Sequence, residues 1–274
     1  MAITAADVSK LRKMTGAGMM DCKNALEESN GDFEQAIEII RKRGQLVASK
    51  RADRAATEGV VMANVTGKGN LGAMIVLNCE TDFVAKNENF IKFARDILQI
   101  ALDKNPADLH ALKSLSFGKS TVGERVIEEV GIIGEKLDLS YYAKIEAPQV
   151  VPYIHPGNRL ATLVGLNKVV DERVGKDIAM QVAAMNPVAV DRADVPPEII
   201  EKEKEIGREQ ARNEGKPENM LDKIAEGKLN KFFKESTLLN QDFTRDSSKT
   251  IRQYLQGVDK DLSVTGFLRY NLNQ

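Results

Sequence analysis

The chain has 274 residues, enough for one large domain or two to three small ones, and 42% of them are apolar, enough for a hydrophobic core. Its 39 basic and 40 acidic side chains nearly cancel, which argues against a protein that coats nucleic acid through a basic surface. No apolar run approaches the ~20 residues that span a bilayer, and the first residues lack the pattern of a signal peptide, so we expect a soluble cytoplasmic protein.

Residues 1–44 are predicted to form three short helices. Thr4, followed three residues later by Asp7, is typical of a helix N-terminus, and the Asn-Gly pair at 30–31 predicts the turn before the third helix. That helix is predicted to end at 41–44, Arg-Lys-Arg-Gly, because basic residues followed by glycine favour a helix C-terminus. Three helices of this length have little core of their own, so we interpret them as an N-terminal docking domain.

Residues 45–58 are predicted to be a basic linker. From Arg41 to Arg54 the chain carries six basic residues against one acid, Asp53. Such a run either contacts RNA or is a solvated helix end, and the sequence leaves both interpretations open.

An internal duplication organises the region from residue 59 to about residue 187. Each copy is predicted to contain a strand, a glycine turn, a second strand and a helix: 59–65, 67–70, 71–78 and 89–102 in the first, and 149–154, 156–158, 160–166 and 171–186 in the second. Extended stretches at 141–147 and 262–272 are predicted to add one strand each. We therefore expect a core half N over 59–147 and a core half C over 148–195 and 235–274.

Residues 196–234 have a different pattern. Two proline residues precede a highly charged segment with few apolar positions, and Gly-Lys-Pro at 215–217 turns the chain back into a second helix. Two helices around a tight turn predict an antiparallel helical hairpin. Because its apolar stripe is too thin to cover both a partner helix and a core, the hairpin is expected to project into solvent.

The connection between the second strand and the helix of the first copy contains Thr81, Asp82, Phe83 and Val84, which we name the first corner. One interpretation is that Asp82 or Asn87 caps the following helix and that Phe83 folds back into the core. The other is that the corner binds a partner, because strand-to-helix connections are surface positions held by rigid elements.

The second copy helps to separate these interpretations. Its equivalent connection, the second corner, is Asn-Lys-Val-Val at 167–170 and has neither an acid nor a ring. If the connection served only to join strand and helix, either version would be sufficient. The pair Asp82 and Phe83 is therefore a candidate for a function beyond folding.

Catalytic signatures are not found in the sequence. The glycines at 67 and 69 lack the spacing of a phosphate-binding loop, Cys22 and Cys79 are too isolated to predict a zinc site or a disulfide framework, and no nucleophile motif surrounds a serine or histidine. We therefore expect no cofactor, no metal site and no catalytic residues, and favour a protein that acts by binding.

Two long stretches resemble the bacterial elongation factor Ts family, the nucleotide exchange factors of elongation factor Tu. They are TGAGMMDCKNAL at 15–26, continuing through Asn-Gly-Asp at 30–32, and NCETDFVAKN at 78–87. The resemblance extends over nearly the whole chain. It implies an α+β fold with an N-terminal three-helix domain of UBA-like type, a core of two related halves, and a projecting coiled-coil hairpin.

The resemblance also implies a mechanism. The partner is GDP-bound elongation factor Tu, contacted through its G domain and a second domain, and Asp82 and Phe83 are expected to insert between two G-domain helices near the nucleotide. The region from Thr81 to Val84 is expected to displace the partner's Mg²⁺ and so to release GDP without covalent catalysis. Neither a membrane nor direct nucleic-acid binding is implied.

Further partner contacts are implied at Lys23, Ile133, Gly134 and His155, although a histidine in the position of His155, taken alone, is more often a turn residue without a role. Two departures from the family pattern affect other contacts. Thr-Arg at 244–245 stands where some relatives carry apolar contact residues, and the chain is expected to lack a C-terminal helix because it stops at Gln274.

Two other classes of function remain open. An RNA- or ribosome-binding adaptor of the translation machinery would use the basic linker, and it should show a basic face. A structural adaptor would dock a peptide on the three-helix module and use the hairpin as a strut, but this interpretation does not explain the first corner.

Overall fold

The structure is a computed structural model and describes residues 3–273, so the expectation about the chain end at Gln274 lies outside the described residues. The α-helices of this range are α1 (Ala5–Thr15), α2 (Met19–Glu28), α3 (Phe33–Lys50), α4 (Asp82–Ala85), α5 (Glu88–Lys104), α6 (Leu109–Ser114), α7 (Val122–Ile133), α8 (Glu172–Met185), α9 (Pro197–Asn213), α10 (Leu221–Ser236) and α11 (Ile251–Val258). Its strands are β1 (Glu58–Val65), β2 (Leu71–Cys79), β3 (Ser116–Phe117), β4 (Ser120–Thr121), β5 (Asp138–Glu146), β6 (Gln149–Ile154), β7 (Leu160–Leu166), β8 (Asp242–Phe243), β9 (Asp246–Thr250) and β10 (Val264–Asn271).

The first three helices pack into a small N-terminal module, as predicted. Thr4 and Asp7 form a capping box, in which Thr4 Oγ1 accepts a hydrogen bond from the Asp7 amide at 3.2 Å and Asp7 Oδ2 accepts one from the Thr4 amide at 3.0 Å. The module has a small apolar core, formed by Val8, Leu11, Ala17, Cys22, Ala25, Leu26 and Ala36. Its assignment as UBA-like stays a prediction.

The third helix is longer than predicted. α3 continues to Lys50, so the predicted end at 41–44 is wrong, and the first six residues of the predicted linker 45–58 are helical. Gly44 does not end the helix because it lies where α3 crosses α7: a Cβ atom on Gly131 would lie 2.4 Å from the Gly44 Cα. Beyond this crossing, Val47 and Ala48 pack against the core of the first half, and this tertiary packing extends the helix.

The duplicated region forms two three-stranded antiparallel sheets. One has the order β1-β2-β5 and the other the order β10-β7-β6. The predicted hairpins are confirmed, with Val60 opposite Leu77 in the first sheet and Val151 opposite Val164 in the second. In each sheet a later strand joins the free edge of the central strand, β5 beside β2 and β10 beside β7, which confirms the two added strands.

The sheets lie face to face, and helices cover their outer faces. Because side chains alternate along a strand, Val61 points towards the second sheet whereas Val60 points towards α5. The inner layer is apolar and contains Val61, Ala63, Met74, Val76, Val150, Ala161 and Leu163. α5 and α7 cover the first sheet, and α8 and α11 cover the second. The predicted α+β fold is confirmed.

The predicted helical hairpin is formed by α9 and α10. The two helices approach closely where small residues face each other. A Cβ atom on Gly207 would lie 3.0 Å from the Ala225 Cα. Ion pairs between the two helices, such as Arg208–Asp222 at 2.8 Å, lie on its surface. No helix within residues 3–273 is long and apolar enough to cross a membrane. The predicted domain boundaries themselves stay predictions.

Candidate protein-interaction site

The first corner follows β2, the central strand of the first sheet. β2 is hydrogen-bonded to β1 on one edge and to β5 on the other, and residues 72–79 are buried on both faces. A strand held on four sides is a rigid support for the residues that leave it. The chain emerges from it at Glu80, one residue before the first corner.

Phe83 points into solvent. Residues 82–85 form the single helical turn α4, in which Ala85 is buried in the core and Val84 packs against it, whereas Phe83 is 83% exposed. Residues two apart in a helix point to roughly opposite sides, so the burial of Ala85 turns Phe83 outwards. The interpretation that Phe83 folds back into the core is wrong.

α4 and the longer helix α5 each begin at a capping residue of their own. Thr81, rather than Asp82, caps α4, with Thr81 Oγ1 accepting from the Val84 amide at 3.5 Å. Asn87 caps α5, as one of the two predicted alternatives has it, and its Oδ1 accepts from the Asn89 amide at 2.9 Å. The chain therefore makes one exposed turn before the long helix begins.

Asp82 holds its negative charge beside the exposed ring. Lys86 Nζ donates to Asp82 Oδ2 at 2.6 Å, and this hydrogen bond, with the positive charge of the lysine, lowers the pKa of the Asp82 carboxyl. The carboxylate is about half exposed and stays ionised at neutral pH. The first corner thus presents an apolar ring next to a charged group.

Glu135 holds the first corner from a distant part of the chain, a contact that the sequence analysis did not identify. Its Oε2 accepts from the Glu80 and Thr81 amides at 3.1 and 3.0 Å, and its Oε1 accepts from Thr81 Oγ1 at 2.7 Å. No local pattern predicts a contact between residues 54 apart. The only indication in the sequence is that Glu135 directly follows Gly134, which the family resemblance implies is a partner contact.

Glu80 makes the reciprocal contact. Its Oε1 accepts from the Lys136 amide at 2.6 Å and from the Arg51 guanidinium at 2.7 Å, and these hydrogen bonds lower the pKa of the Glu80 carboxyl. Lys136 Nζ in turn donates to the carbonyl oxygens of Ala52 and Arg54 at 2.6 and 2.9 Å. The first corner, the residues after α7 and the residues after α3 therefore form one connected unit.

Cys79 lies beneath the first corner. Its Sγ donates to the Thr81 carbonyl oxygen at 3.1 Å, and burial, followed by the nearby negative charge of Glu135, raises the pKa of the thiol to about 12. The thiol is therefore protonated at neutral pH and unsuited to nucleophilic chemistry. It contributes to the core.

The structure brings Ile133 and Gly134 close to the first corner but places Lys23 elsewhere. Gly134 ends α7 with a φ of 79°, and the next residue, Glu135, binds the corner directly. Ile133 packs against the core of the first half. Lys23 lies on α2 in the N-terminal module, where its Nζ is 3.7 Å from Glu27 Oε1.

His155 lies in the turn between β6 and β7, and this turn reaches the strand ends below the first corner. Its Nδ1 is 2.9 Å from the Tyr153 hydroxyl. Arg159, at the end of the same turn, forms an ion pair with Glu58, which stands opposite Cys79 in the first sheet. The predicted contact residue is therefore on the same side of the two-sheet core as the first corner.

The second corner has no secondary structure of its own at 169–170 and leaves Val169 76% exposed. Lys168 Nζ lies 2.7 Å from Asp259 Oδ1, and Asn167 Oδ1 accepts from the Ser263 amide at 2.8 Å. Among the described residues of the whole chain, no three His, Cys, Asp or Glu side chains are grouped so that they could hold a metal ion.

Sequence comparison finds relatives that match the chain over its whole length. Residues 80–274 match the family model described as elongation factor TS. The chain is 52% identical over 274 residues to elongation factor Ts of Porphyromonas gingivalis, covering 100% of this chain and 99% of that protein. It is 53% identical over 272 residues to that of Amoebophilus asiaticus, covering 98% of each. Similarity of this extent shows that the chain belongs to the elongation factor Ts family.

Proposed function

We propose that this translation elongation factor binds GDP-bound elongation factor Tu and speeds the release of GDP so that GTP can replace it. The observation that carries the proposal is the exposure of Phe83, next to an ionised Asp82, on a turn that follows a strand buried on both faces. A phenylalanine ring in this position gains free energy when a partner buries it. Membership of the elongation factor Ts family supports elongation factor Tu as the partner.

Insertion of Phe83 between two helices of the partner's G domain would supply binding free energy. Burying a phenylalanine side chain stabilises a complex by about 1.5–3 kcal/mol. Because the ring leaves a rigid support, the partner's helices have to move apart to accommodate it, while the corner keeps its shape. The binding free energy is then available to distort the nucleotide site.

Asp82 would act on the partner's Mg²⁺ without binding a metal in the free chain. Mg²⁺ requires near-ideal octahedral oxygen coordination, so a shift of its ligands or waters caused by residues 81–84 weakens its hold on GDP. Each ~1.4 kcal/mol lost from nucleotide binding is about a tenfold loss of affinity. By linkage, nucleotide binding weakens the complex by the same factor, which allows the incoming GTP to release this chain.

Contacts at Lys23, Ile133, Gly134 and His155 would extend the interface beyond the first corner, towards the N-terminal module on one side and the β6–β7 turn on the other. We assign the contacts of Lys23 and His155 to the partner's G domain. We place this activity in the cytoplasm, and it requires no bond-making or bond-breaking group on this chain.

The RNA-binding alternative is disfavoured by the surroundings of the basic run. Arg41 pairs with Glu128 at 2.7 Å, Arg43 with Glu28 at 2.7 Å, and Arg51 with Glu80 at 2.7 Å. Lys42 pairs with Glu38 within α3. Four of the six basic side chains are thus neutralised within the chain, which lowers the positive charge available to phosphates.

The test is a stopped-flow measurement of fluorescent GDP release from elongation factor Tu in the presence and absence of this chain. We expect the release rate to rise with the concentration of the chain and then to saturate. Excess Mg²⁺ should slow the stimulated release. An unchanged release rate at saturating concentrations, with binding shown independently, would refute the proposal.

A further inference from the structure

We propose that Glu135 and Glu80 are positioning residues that keep the first corner rigid, so that the free energy of burying Phe83 distorts the partner rather than the corner. The inference rests on the proposed exchange function and assigns a role to two carboxylates that do not need to touch the partner. We name the pair, with the hydrogen bonds that each accepts, the carboxylate clasp.

The clasp holds the backbone on both sides of the gap between the first corner and the end of α7. Glu135 accepts from the amides of Glu80 and Thr81, the two residues immediately before α4. Glu80 accepts from the amide of Lys136, the residue immediately after Glu135. Each segment therefore binds the backbone of the other, and neither can move alone without breaking hydrogen bonds to a charged group.

α4 needs this external support because it is a single turn. A helix of four residues gains little from its own hydrogen bonds, and its only side-chain cap is the 3.5 Å contact from the Val84 amide to Thr81 Oγ1. Glu135 binds that same hydroxyl at 2.7 Å. The orientation of the capping residue, and with it the direction of Phe83, is set by Glu135.

A corner without the clasp would still carry an exposed ring and would still bind. On meeting the helices of the partner, however, a loose corner can yield, and ordering it consumes free energy that would otherwise open the nucleotide site. The loss should therefore appear in the rate of GDP release at saturation more than in the concentration that gives half of the maximal effect.

The experiment compares three variants of the full chain in the GDP-release assay. Glu135→Ala removes the acceptor, Glu135→Gln keeps an oxygen that can face the two amides, and Glu129→Ala removes a glutamate of α7 that pairs with Arg125 instead. Amide hydrogen exchange at residues 82–86 and the thermal midpoint are measured for each variant, and rates are compared below every unfolding transition.

We expect Glu135→Ala, which removes the acceptor of three hydrogen bonds, to lower the saturating release rate by at least about tenfold, the factor that corresponds to one such bond to a charged group. Its half-saturating concentration should change by less than about threefold, and exchange at residues 82–86 should become faster. Glu135→Gln should restore most of the rate, and Glu129→Ala should keep the wild-type rate.

The proposal is overturned if Glu135→Ala releases GDP at the wild-type saturating rate, whether or not its amides exchange faster, or if Glu135→Gln is as slow as Glu135→Ala. A Glu129→Ala variant as slow as Glu135→Ala would also overturn it, because the effect would then belong to α7 in general. Failure of the underlying exchange function is distinguishable, since the wild-type chain itself would not accelerate release.

Discussion

The two corners of the duplicated core differ in what holds them. The second corner is tied within its own half, where Lys168 pairs with Asp259 and Asn167 bonds with the residues before β10. The first corner is tied within its own half to the residues after α7 through Glu135, and outside that half to the end of α3 through Arg51 and Glu80. Both corners expose an apolar side chain.

The exposed side chains of the two corners also differ. A valine at the second corner shows that an exposed apolar residue alone is compatible with a simple connection between strand and helix. The first corner adds a ring and an ionised neighbour. Supports from other segments are common to both corners, since Gln149 bonds both backbone groups of Val170 in the second corner. Both corners are therefore held in place, and the exposed ring with its ionised neighbour Asp82 is what distinguishes the first.

The largest effect is expected from removing the ring of Phe83, which the second corner lacks. Phe83→Ala removes about 2 kcal/mol of apolar burial at the interface, so stimulated GDP release should fall by roughly thirtyfold at subsaturating concentrations. The fold should be unaffected because the ring is 83% exposed. Stopped-flow release of fluorescent GDP measures the rate, and circular dichroism checks the fold.

Val169→Ala is the matched control for this variant, since Val169 occupies the equivalent position of the second corner and is 76% exposed. It should leave the release rate unchanged. Equal losses in the two variants would show that both corners contact the partner, and the functional distinction between them would be lost.

A smaller effect, on the free energy of unfolding, is expected from a substitution at the crossing of α3 and α7, which positions the end of α3 beside the first corner. Gly131→Ala places a methyl group 2.4 Å from the Gly44 Cα, which forces α3 and α7 apart and should lower the free energy of unfolding by about 1–3 kcal/mol. Denaturant titration measures the loss. Amide exchange should become faster at Glu80 and Thr81 but not at Val170 in the second corner.

Gly227→Ala controls for the general effect of alanine at a helical glycine. Gly227 lies within α10, and a Cβ atom there meets nothing within 4 Å, so this variant should be stabilised by about 0.5–1 kcal/mol. If Gly131→Ala were also stabilising, the close crossing of α3 and α7 would not be a constraint.

The charge of Asp82 should contribute less than the ring. Asp82→Asn keeps the shape of the side chain and should slow GDP release by roughly threefold, the scale of one solvent-exposed charge interaction. Lys86→Ala breaks the same ion pair but keeps the carboxylate, so it should not slow release. Similar losses in the two variants would assign the effect to the ion pair rather than to the carboxylate.

The smallest effect concerns pH. Hydrogen bonds from the Lys136 amide and Arg51 lower the pKa of Glu80 from 4.5, so its contribution to stability is complete above about pH 4.5 and is lost as the pH falls through the lowered value. Lys168 lowers the pKa of Asp259 from 3.8, so the equivalent loss in the second corner begins at lower pH.

Denaturant titrations of Glu80→Gln, Asp259→Asn and the wild-type chain between pH 3 and 6 check this order. The difference between wild type and Glu80→Gln should shrink on acidification before that of Asp259→Asn does. Differences that stay constant over this range would show that neither carboxylate titrates with folding.

The helices and strands that have a local sequence pattern could be predicted from the sequence. Glycine turns and apolar strands identify both hairpins, and the pattern around Thr4 identifies the first helix. The end of α3 could not be predicted, because packing of Gly44 against α7 overrides a local termination signal. The hairpin of β3 and β4 was missed as well, since two-residue strands show no periodicity.

The candidate site was predictable in its residues but not in its support. Comparing the two copies singled out Asp82 and Phe83, and the structure confirms that Phe83 is exposed. The sequence could not decide that Thr81 caps α4, because Thr, Asp and Asn are all good caps. Nor could it connect Glu135 to Thr81, because these residues are 54 positions apart and four helices lie between them.

The burial of β2 on both faces restricts how the length of this strand can change. Successive side chains of a strand point to opposite sides, so inserting or deleting one residue between 72 and 79 would shift every later side chain to the other face. A change of two residues preserves the facing. Insertions or deletions of an even number of residues in β2 therefore keep its side chains on their original faces, whereas those of an odd number do not. Single-residue length changes should be far less tolerated in this strand than in the hairpin turn at 66–70.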